Sequence, residues 1–202
     1  MLRESQPLRV YATRSIRRII MENNIIFAMV RNQITWNELV PGREFDLTPG
    51  IRCLPFALAG NYPHYVDPEL ARSLAPEDAL LGLRLESASG KCLIYMPGAP
   101  SIEESWLNWL KNSDLLLFDG TFWTDDELIR VQGGGRTARQ MGHMPVSGVE
   151  GSLARLADVQ RPRKIYIHVN NTNPMLDEES AEYRSVCEAG WEVAHDGMEF
   201  EF

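Results

Sequence analysis

Four consecutive apolar residues, Leu115 to Phe118, run straight into the carboxylate Asp119, and Gly120 follows at once. An apolar run this short, bounded by polar residues, predicts a strand buried on both faces, as in the middle of a parallel sheet. A charge at the end of such a strand is costly unless it is paired, hydrogen-bonded or bound to a metal. Asp119 therefore either closes a turn or serves a site, with Gly120 letting the backbone turn away from it. A second apolar strand, Lys164 to Val169, carries His168 near its end in IYIHVNNTNP. In open α/β sheets, sites form where loops leave the carboxyl ends of strands, so Asp119 and His168 are expected along one edge of a sheet. His143, in the loop MGHMPVS just before a helix, is placed to fold over that edge.

The remaining elements fit around these strands. Leu8 to Ala12 reads as a short strand, and Thr13 as the N-cap of a helix through Met21 with Ile16, Ile19 and Ile20 on one face. After a polar stretch around Pro41 and Gly42, Ile51 to Ala59 is a further strand. Residues 60–78, rich in Pro, Asp and Tyr, read as a long surface loop. Ala79 to Glu86 and Lys91 to Met96 flank the turn SASG as a β-hairpin. Ser101 is expected to cap a helix to Leu110, with Glu103 and Glu104 in the first turn, where the helix dipole favours acids. Helices are expected over about Val149 to Asp158 and over Asp177 to Ala189. Trp191 to Ala194 with Met198 to Phe202 would then close the sheet as a pair. Hairpins early and alternating strands and helices late predict one α/β domain, a sandwich with helices outside.

The bulk numbers narrow the function classes. A chain of 202 residues makes one domain with a sizeable core, or at most two small ones. With 44% apolar and 24% charged residues, 12 Pro and 15 Gly, the composition is ordinary globular rather than disordered. A net charge of −8 argues against a general nucleic-acid binder, which needs a basic face. Arg14, Arg17 and Arg18 form a local basic cluster whose spacing suits the wet side of a helix. Cys53, Cys92 and Cys187 are scattered without CxxC spacing, which points to a reducing compartment and no disulfide framework. No stretch approaches the ~20 apolar residues needed to span a bilayer, and the first residues lack a secretory apolar core. A cytoplasmic protein is the expectation.

Asp119, His143 and His168 together make a good ligand set for a divalent transition ion, since carboxylate and neutral imidazole suit zinc or iron. Singly, each has a plainer reading. A strand-end Asp before Gly is often a turn residue, and His168 would also serve as a core histidine bonded to backbone. GGGR at 133–136 lacks the lysine of a phosphate-binding loop and reads as a flexible loop. His64 and His195 sit in polar surroundings and read as surface residues.

The combination is more specific. DGTF, then GH with a Ser four residues on, then an apolar strand ending in His, resembles the C-terminal half of metallo-β-lactamase-fold proteins. FDGTFWTDDEL, GRTARQMGHMPVS, RKIYIHVNNTNPMLDEES and GWEVAHDGMEFE, with YMPGAP and WLKNSD upstream, are similar to the PqqB family of pyrroloquinoline quinone (PQQ) biosynthesis. The resemblance implies an α/β fold, a metallo-β-lactamase-like αββα sandwich. It also implies a metal site in which Asp119, His143 and His168 are ligands. The first metal motif of that superfamily, HxHxDH or a form keeping its Asp-His pair, does not occur here, nor does the family's N-terminal Cys-rich motif. The chain thus reads as the C-terminal two-thirds of such a protein, its fold incomplete at the N-terminus. Either a start placed at an internal methionine or a truly truncated gene would account for this, and a separate N-terminal polypeptide is a further way to complete the fold.

The resemblance further implies a role in making PQQ from a Glu- and Tyr-containing precursor. The family is read either as an iron-dependent oxygenase hydroxylating the tyrosine ring or as a carrier of the cofactor or its precursor to the periplasm. A two-His, one-carboxylate set leaves open positions for O2 and substrate, which suits iron(II), with zinc as the other candidate. A metal-dependent hydrolase of the same fold is the third reading. Expected partners are the Glu-Tyr precursor or a PQQ intermediate and other proteins of the pathway, with neither nucleic acid nor membrane. His143 is the expected catalytic histidine. Asn170 and Asn171 are expected to hydrogen-bond substrate or to orient His168, because amides cannot act as general acids or bases. Asn173 precedes Pro174 and is as well explained by turn chemistry.

Overall fold

The computed structural model describes residues 7–23, 27, 31–63 and 65–201. Its frame is a seven-stranded sheet in sequential order. The strands are β3 (Phe45–Thr48), β4 (Ile51–Ala57), β5 (Leu81–Ser87), β6 (Cys92–Met96), β7 (Leu115–Asp119), β8 (Arg163–Ile167) and β9 (Trp191–Val193). Pairing is antiparallel from β3 to β6 and parallel from β6 to β9. The early hairpins and late crossovers expected from the sequence thus meet in one sheet. A separate parallel pair joins β1 (Leu8–Ala12) to β2 (Ile34–Glu38).

Alternation along the central strands divides the apolar residues between two faces. Ile94, Met96, Leu116, Phe118 and Tyr166 face the larger core, where Trp106 and Leu110 of helix α3 (Glu104–Asn112) and Val186 of α6 (Ala181–Glu188) meet them. Leu93, Leu115, Leu117 and Ile165 face the other way, toward Ala194, Met198 and Phe200. All five residues of β7 are buried, as its composition predicts. The remaining helices are α1 (Arg14–Asn23), α2 (Pro68–Arg72), α4 (Glu127–Gln132) and α5 (Ser152–Arg155). Helix α1 is capped by Thr13, whose hydroxyl accepts the Ile16 N–H at 3.3 Å. Its Ile19 is buried with Val66 and Leu74, and its three arginines face water.

Several expected boundaries shift, each for a local reason. Ser101 does not cap α3; Glu103 holds that position. Ala99 to Ile102 stays outside the helix: Ala99 bonds through its N–H to Asp119 and through its carbonyl to Met144, and Ile102 is buried. The helix expected over 149–158 is only the single turn of α5, beginning at Ser152 with Gly151 as its N-cap. The one expected over 177–189 begins at Ala181, where the Ser180 hydroxyl accepts the Tyr183 N–H. Met198 to Glu201 is not a strand; Met198 and Phe200 lie on the sheet instead, and Phe202 falls outside the described residues. Strands β2 and β3 and helix α4 went unforeseen, and the loop over 60–78 contains α2 and a 3-10 turn at Pro76–Asp78. The three cysteines are free thiols. Among the described residues no helix is long and apolar enough to cross a membrane.

Candidate metal centre

The carboxyl ends of β6, β7 and β8 lie side by side, and their following loops converge on Asp119, which is fully buried. Its charge is met from every side. The Ala99 N–H, from the loop after β6, donates to Oδ2 at 3.0 Å. The Thr121 N–H donates to Oδ1 at 3.1 Å and the Thr121 hydroxyl to the same oxygen at 2.5 Å. His143 brings its Nδ1 to 2.8 Å from Oδ2, and His168 Nδ1 stands 3.8 Å from Oδ1. Burial pushes the Asp119 carboxyl up, but hydrogen bonding with His143, His168 and Thr121 outweighs it and holds the group below its ordinary range. The Asp119 carboxylate in turn raises His168 above the usual imidazole value, against the opposing effect of burial.

Each loop is shaped by its own residues. Gly120 does not adopt a left-handed φ, so it is not there to turn the chain, as its place after Asp119 suggested. A Cβ at that position would stand 2.7 Å from Met175 Cε and 2.8 Å from Tyr166 Cβ, and only glycine lets the strand end lie so close to β8. His143 follows a 3-10 turn (Arg139–Met141) and Gly142, which is left-handed at φ 89°. Its N–H is held by the Ala138 carbonyl at 2.9 Å, and its ring meets Phe122 edge-on at 5.9 Å. His168 sits one residue beyond β8 and is the one non-glycine residue with positive φ, 55°, among those described. Histidine tolerates this region better than most residues, yet the conformation is strained and directs the ring back toward β7.

The structure therefore brings together all three expected ligand residues. Ligand atoms of Asp119, His143 and His168 lie within 4.8 Å of one another. Metal–ligand bonds of ~2.1 Å span such a set with small side-chain adjustments, and a buried carboxylate with two imidazoles is a donor set that zinc or iron(II) accepts. The residues fit a divalent ion. Exposure rises from Asp119 to the side chains of His143, 17%, and His168, 54%, so the set is sealed beneath and open on the His168 side. Beside it a cleft of about 540 Å³ runs between the end of β4 and the segments that carry Ser101, Glu103 and Arg139.

Thr121 was not foreseen, and it is the hub of the site. Its hydroxyl lies 3.0 Å from His143 Nδ1, 2.8 Å from His168 Nδ1 and 2.9 Å from the His168 carbonyl. The signal was its place two residues after Asp119, where an Asx turn brings the N–H back to the carboxylate. The Ala99 N–H left no trace in the sequence. Of the asparagines, Asn173 is structural: it is buried, accepts the Met175 N–H at 3.0 Å and donates to the Gly120 carbonyl at 2.9 Å. Asn170 is partly buried near His168, and Asn171 is exposed. His195 is exposed and apart from the site; His64 lies outside the described residues.

Comparison with known proteins places this geometry. A family profile described as a beta-lactamase superfamily domain matches residues 1–169. Coenzyme PQQ synthesis protein B of Methylobacterium sp. (strain 4-46) is 38% identical over 200 residues, covering 98% of this chain and 66% of that protein. The chain thus spans about two thirds of the length of the curated relatives it matches. The crystal structure of zinc-bound PqqB from Methylobacterium extorquens superposes with a TM-score of 0.88 at 35% identity, over 100% of this chain and 67% of that one. A diphosphatase of the PhnP family, at 16% identity and TM-score 0.60 over 96% of this chain and 58% of its own, shares the fold.

Proposed function

This chain belongs to the PqqB family of the beta-lactamase superfamily, and from that premise we propose that it acts in PQQ biosynthesis, with Asp119, His143 and His168 holding a divalent metal. The observation that carries the reading is the convergence of those three side chains at the carboxyl ends of β7 and β8. We read the activity as hydroxylation of the tyrosine ring of a Glu-Tyr precursor. A bound iron(II) would supply the redox chemistry with O2 as oxidant and an external two-electron reductant.

The residues of the chain do the rest. Asp119, braced by the Ala99 N–H and Thr121, would offset part of the charge of an ion held there. His143 is held against Asp119 and walls the site off from the side of Phe122, while the exposed edge of His168 leaves room for a ligand to approach. Thr121 keeps the two imidazoles in register, since its oxygen lies within hydrogen-bond reach of both. We assign Asn170 and Asn171, which follow His168 two and three positions on, the role of hydrogen-bonding groups for substrate. The other pathway proteins are its expected partners, and the cytoplasm its expected compartment.

The test is metal content together with oxygen incorporation. Purified protein loaded with iron(II) should bind it stoichiometrically and transfer label from 18O2 into a Glu-Tyr dipeptide, as read by mass spectrometry. A hydrolase is favoured instead if the zinc form cleaves a phosphodiester such as bis(p-nitrophenyl) phosphate and no label enters the dipeptide. Specific binding of PQQ or precursor without stoichiometric metal would favour a carrier and remove the metal assignment.

A further inference from the structure

Glu127 lies outside the ligand set, yet its side chain is only 4% exposed, one of three charged residues buried among those described. A carboxylate there is tolerated because both oxygens are satisfied. Oε2 accepts the Trp123 N–H at 2.5 Å, and Oε1 accepts the Thr172 hydroxyl at 2.6 Å. A hydroxyl has one proton to give. Since Thr172 gives its proton to Glu127, it can only accept from Asn170, whose Nδ2 lies 2.5 Å away.

This proton order fixes which end of the Asn170 amide points inward. The NH2 end is used by Thr172, so Oδ1 points away from the relay. No buried side-chain oxygen among the described residues lacks a partner, so Oδ1, for which none is found among them, is not fully buried. The Asn170 backbone N–H donates to the Thr121 carbonyl at 3.1 Å, so the backbone of Asn170, two positions beyond His168, is anchored to the hub residue of the candidate metal centre. We infer that Glu127 is a positioning residue that locks Asn170 with its carbonyl toward the mouth of the site, making a fixed acceptor for a ligand that presents a donor there, a phenol O–H, an ammonium or an amide N–H. The inference rests on the reading above, in which Asn170 meets substrate.

A plainer role, tying the loop after β7 to the loop after β8, is separable because Glu127→Gln preserves shape and hydrogen-bond count while reversing polarity. The glutamine oxygen accepts from Trp123, and its NH2 donates to Thr172. The Thr172 proton then turns to Asn170, whose amide flips to accept it and presents NH2 outward. A structural tie survives this change; a fixed acceptor does not.

The experiment uses the full chain, 15N-labelled and metal-free. In the wild type, one Asn170 side-chain amide proton should exchange with solvent about tenfold more slowly than a free amide. In Glu127→Gln that protection should vanish with the melting temperature retained, and affinity for the Glu-Tyr dipeptide should fall about tenfold. Thr172→Val, which removes the relay hydroxyl, should also release the amide, and it carries the test if Glu127→Gln fails to fold. Protection that persists in either folded variant overturns the inference. Lost protection with unchanged dipeptide affinity overturns the recognition role. Because the amide is read without metal, failure to bind iron bears on the proposed activity alone.

Discussion

Strand β7 has an aspartate at each end, DLLLFD, and the two have opposite fates. Asp114, just before the strand, is partly exposed. It accepts the Cys92 N–H at 2.9 Å and pairs with Lys91 and Arg161 at 3.4 and 3.2 Å. Asp119, at the carboxyl end, is fully buried and faces two histidines. The residue type and neighbouring strand are the same; the end of the sheet differs. At the amino end, chains arrive from turns that pin the edge with surface ion pairs, which contribute little and are screened by water and salt. At the carboxyl end, parallel strands release adjacent loops into one space, and side chains far apart in sequence converge. An acid at the first end holds structure; at the second it organises a site.

The largest break in this comparison is Asp119→Ala. It leaves the Ala99 and Thr121 N–H groups and two imidazoles without their acceptor. Stoichiometric zinc or iron binding should be lost, with ~3 kcal/mol of stability in urea denaturation. Asp114→Ala should leave metal content unchanged. Equal metal loss in both would erase the distinction between the two ends. Next is Gly120→Ala, whose Cβ would press on Tyr166 and Met175 and should cost ~2 kcal/mol by the same measurement. His168→Gly sharpens the contrast differently. It removes a proposed ligand but relieves a left-handed residue, so metal affinity should fall more than about tenfold while stability changes by less than about 1 kcal/mol.

The smallest effect belongs to Asp114→Asn. The Cys92 N–H, with Arg161 and Lys91, holds the Asp114 carboxyl below its ordinary range against a smaller effect of burial. A depressed carboxyl contributes stability above its unfolded value of ~3.9 and loses it as pH falls through the lower folded value. The advantage of wild type over Asp114→Asn should therefore be constant at neutral pH and disappear in acid. An advantage that grows as the pH falls would show the sign to be wrong.

Much of this was legible along the chain. Leu115 to Phe118 are apolar without alternation, and that alone requires a strand covered on both sides. The SASG hairpin and the Thr13 cap follow from turn and capping chemistry local to a few residues. Asp119, His143 and His168 stood out because each is a metal-capable side chain at the end of an apolar run or in a glycine-flanked loop. Strands β2 and β3 went unread: ITWNE and FDLT alternate apolar and polar residues, but over only five and four positions, and none of their residues is buried in a core that would mark them. Glu127 was hidden in the acidic run Asp125 to Glu127, where nothing local tells it apart from its two neighbours.

The sequence by itself determined the central strands, their apolar content and which three residues are candidate metal ligands, because these depend on side chains and their immediate neighbours. Only the tertiary structure decided that Thr121 joins the two histidines, that the Ala99 N–H supports Asp119, that Gly120 is required by closeness to Tyr166 rather than by a turn, and that Glu127 is buried against Trp123 and Thr172. Each of these depends on contacts between loops that meet only when β6, β7 and β8 lie in parallel register. A backbone N–H or a buried carboxylate carries no mark in the sequence of the partner it will find across that space.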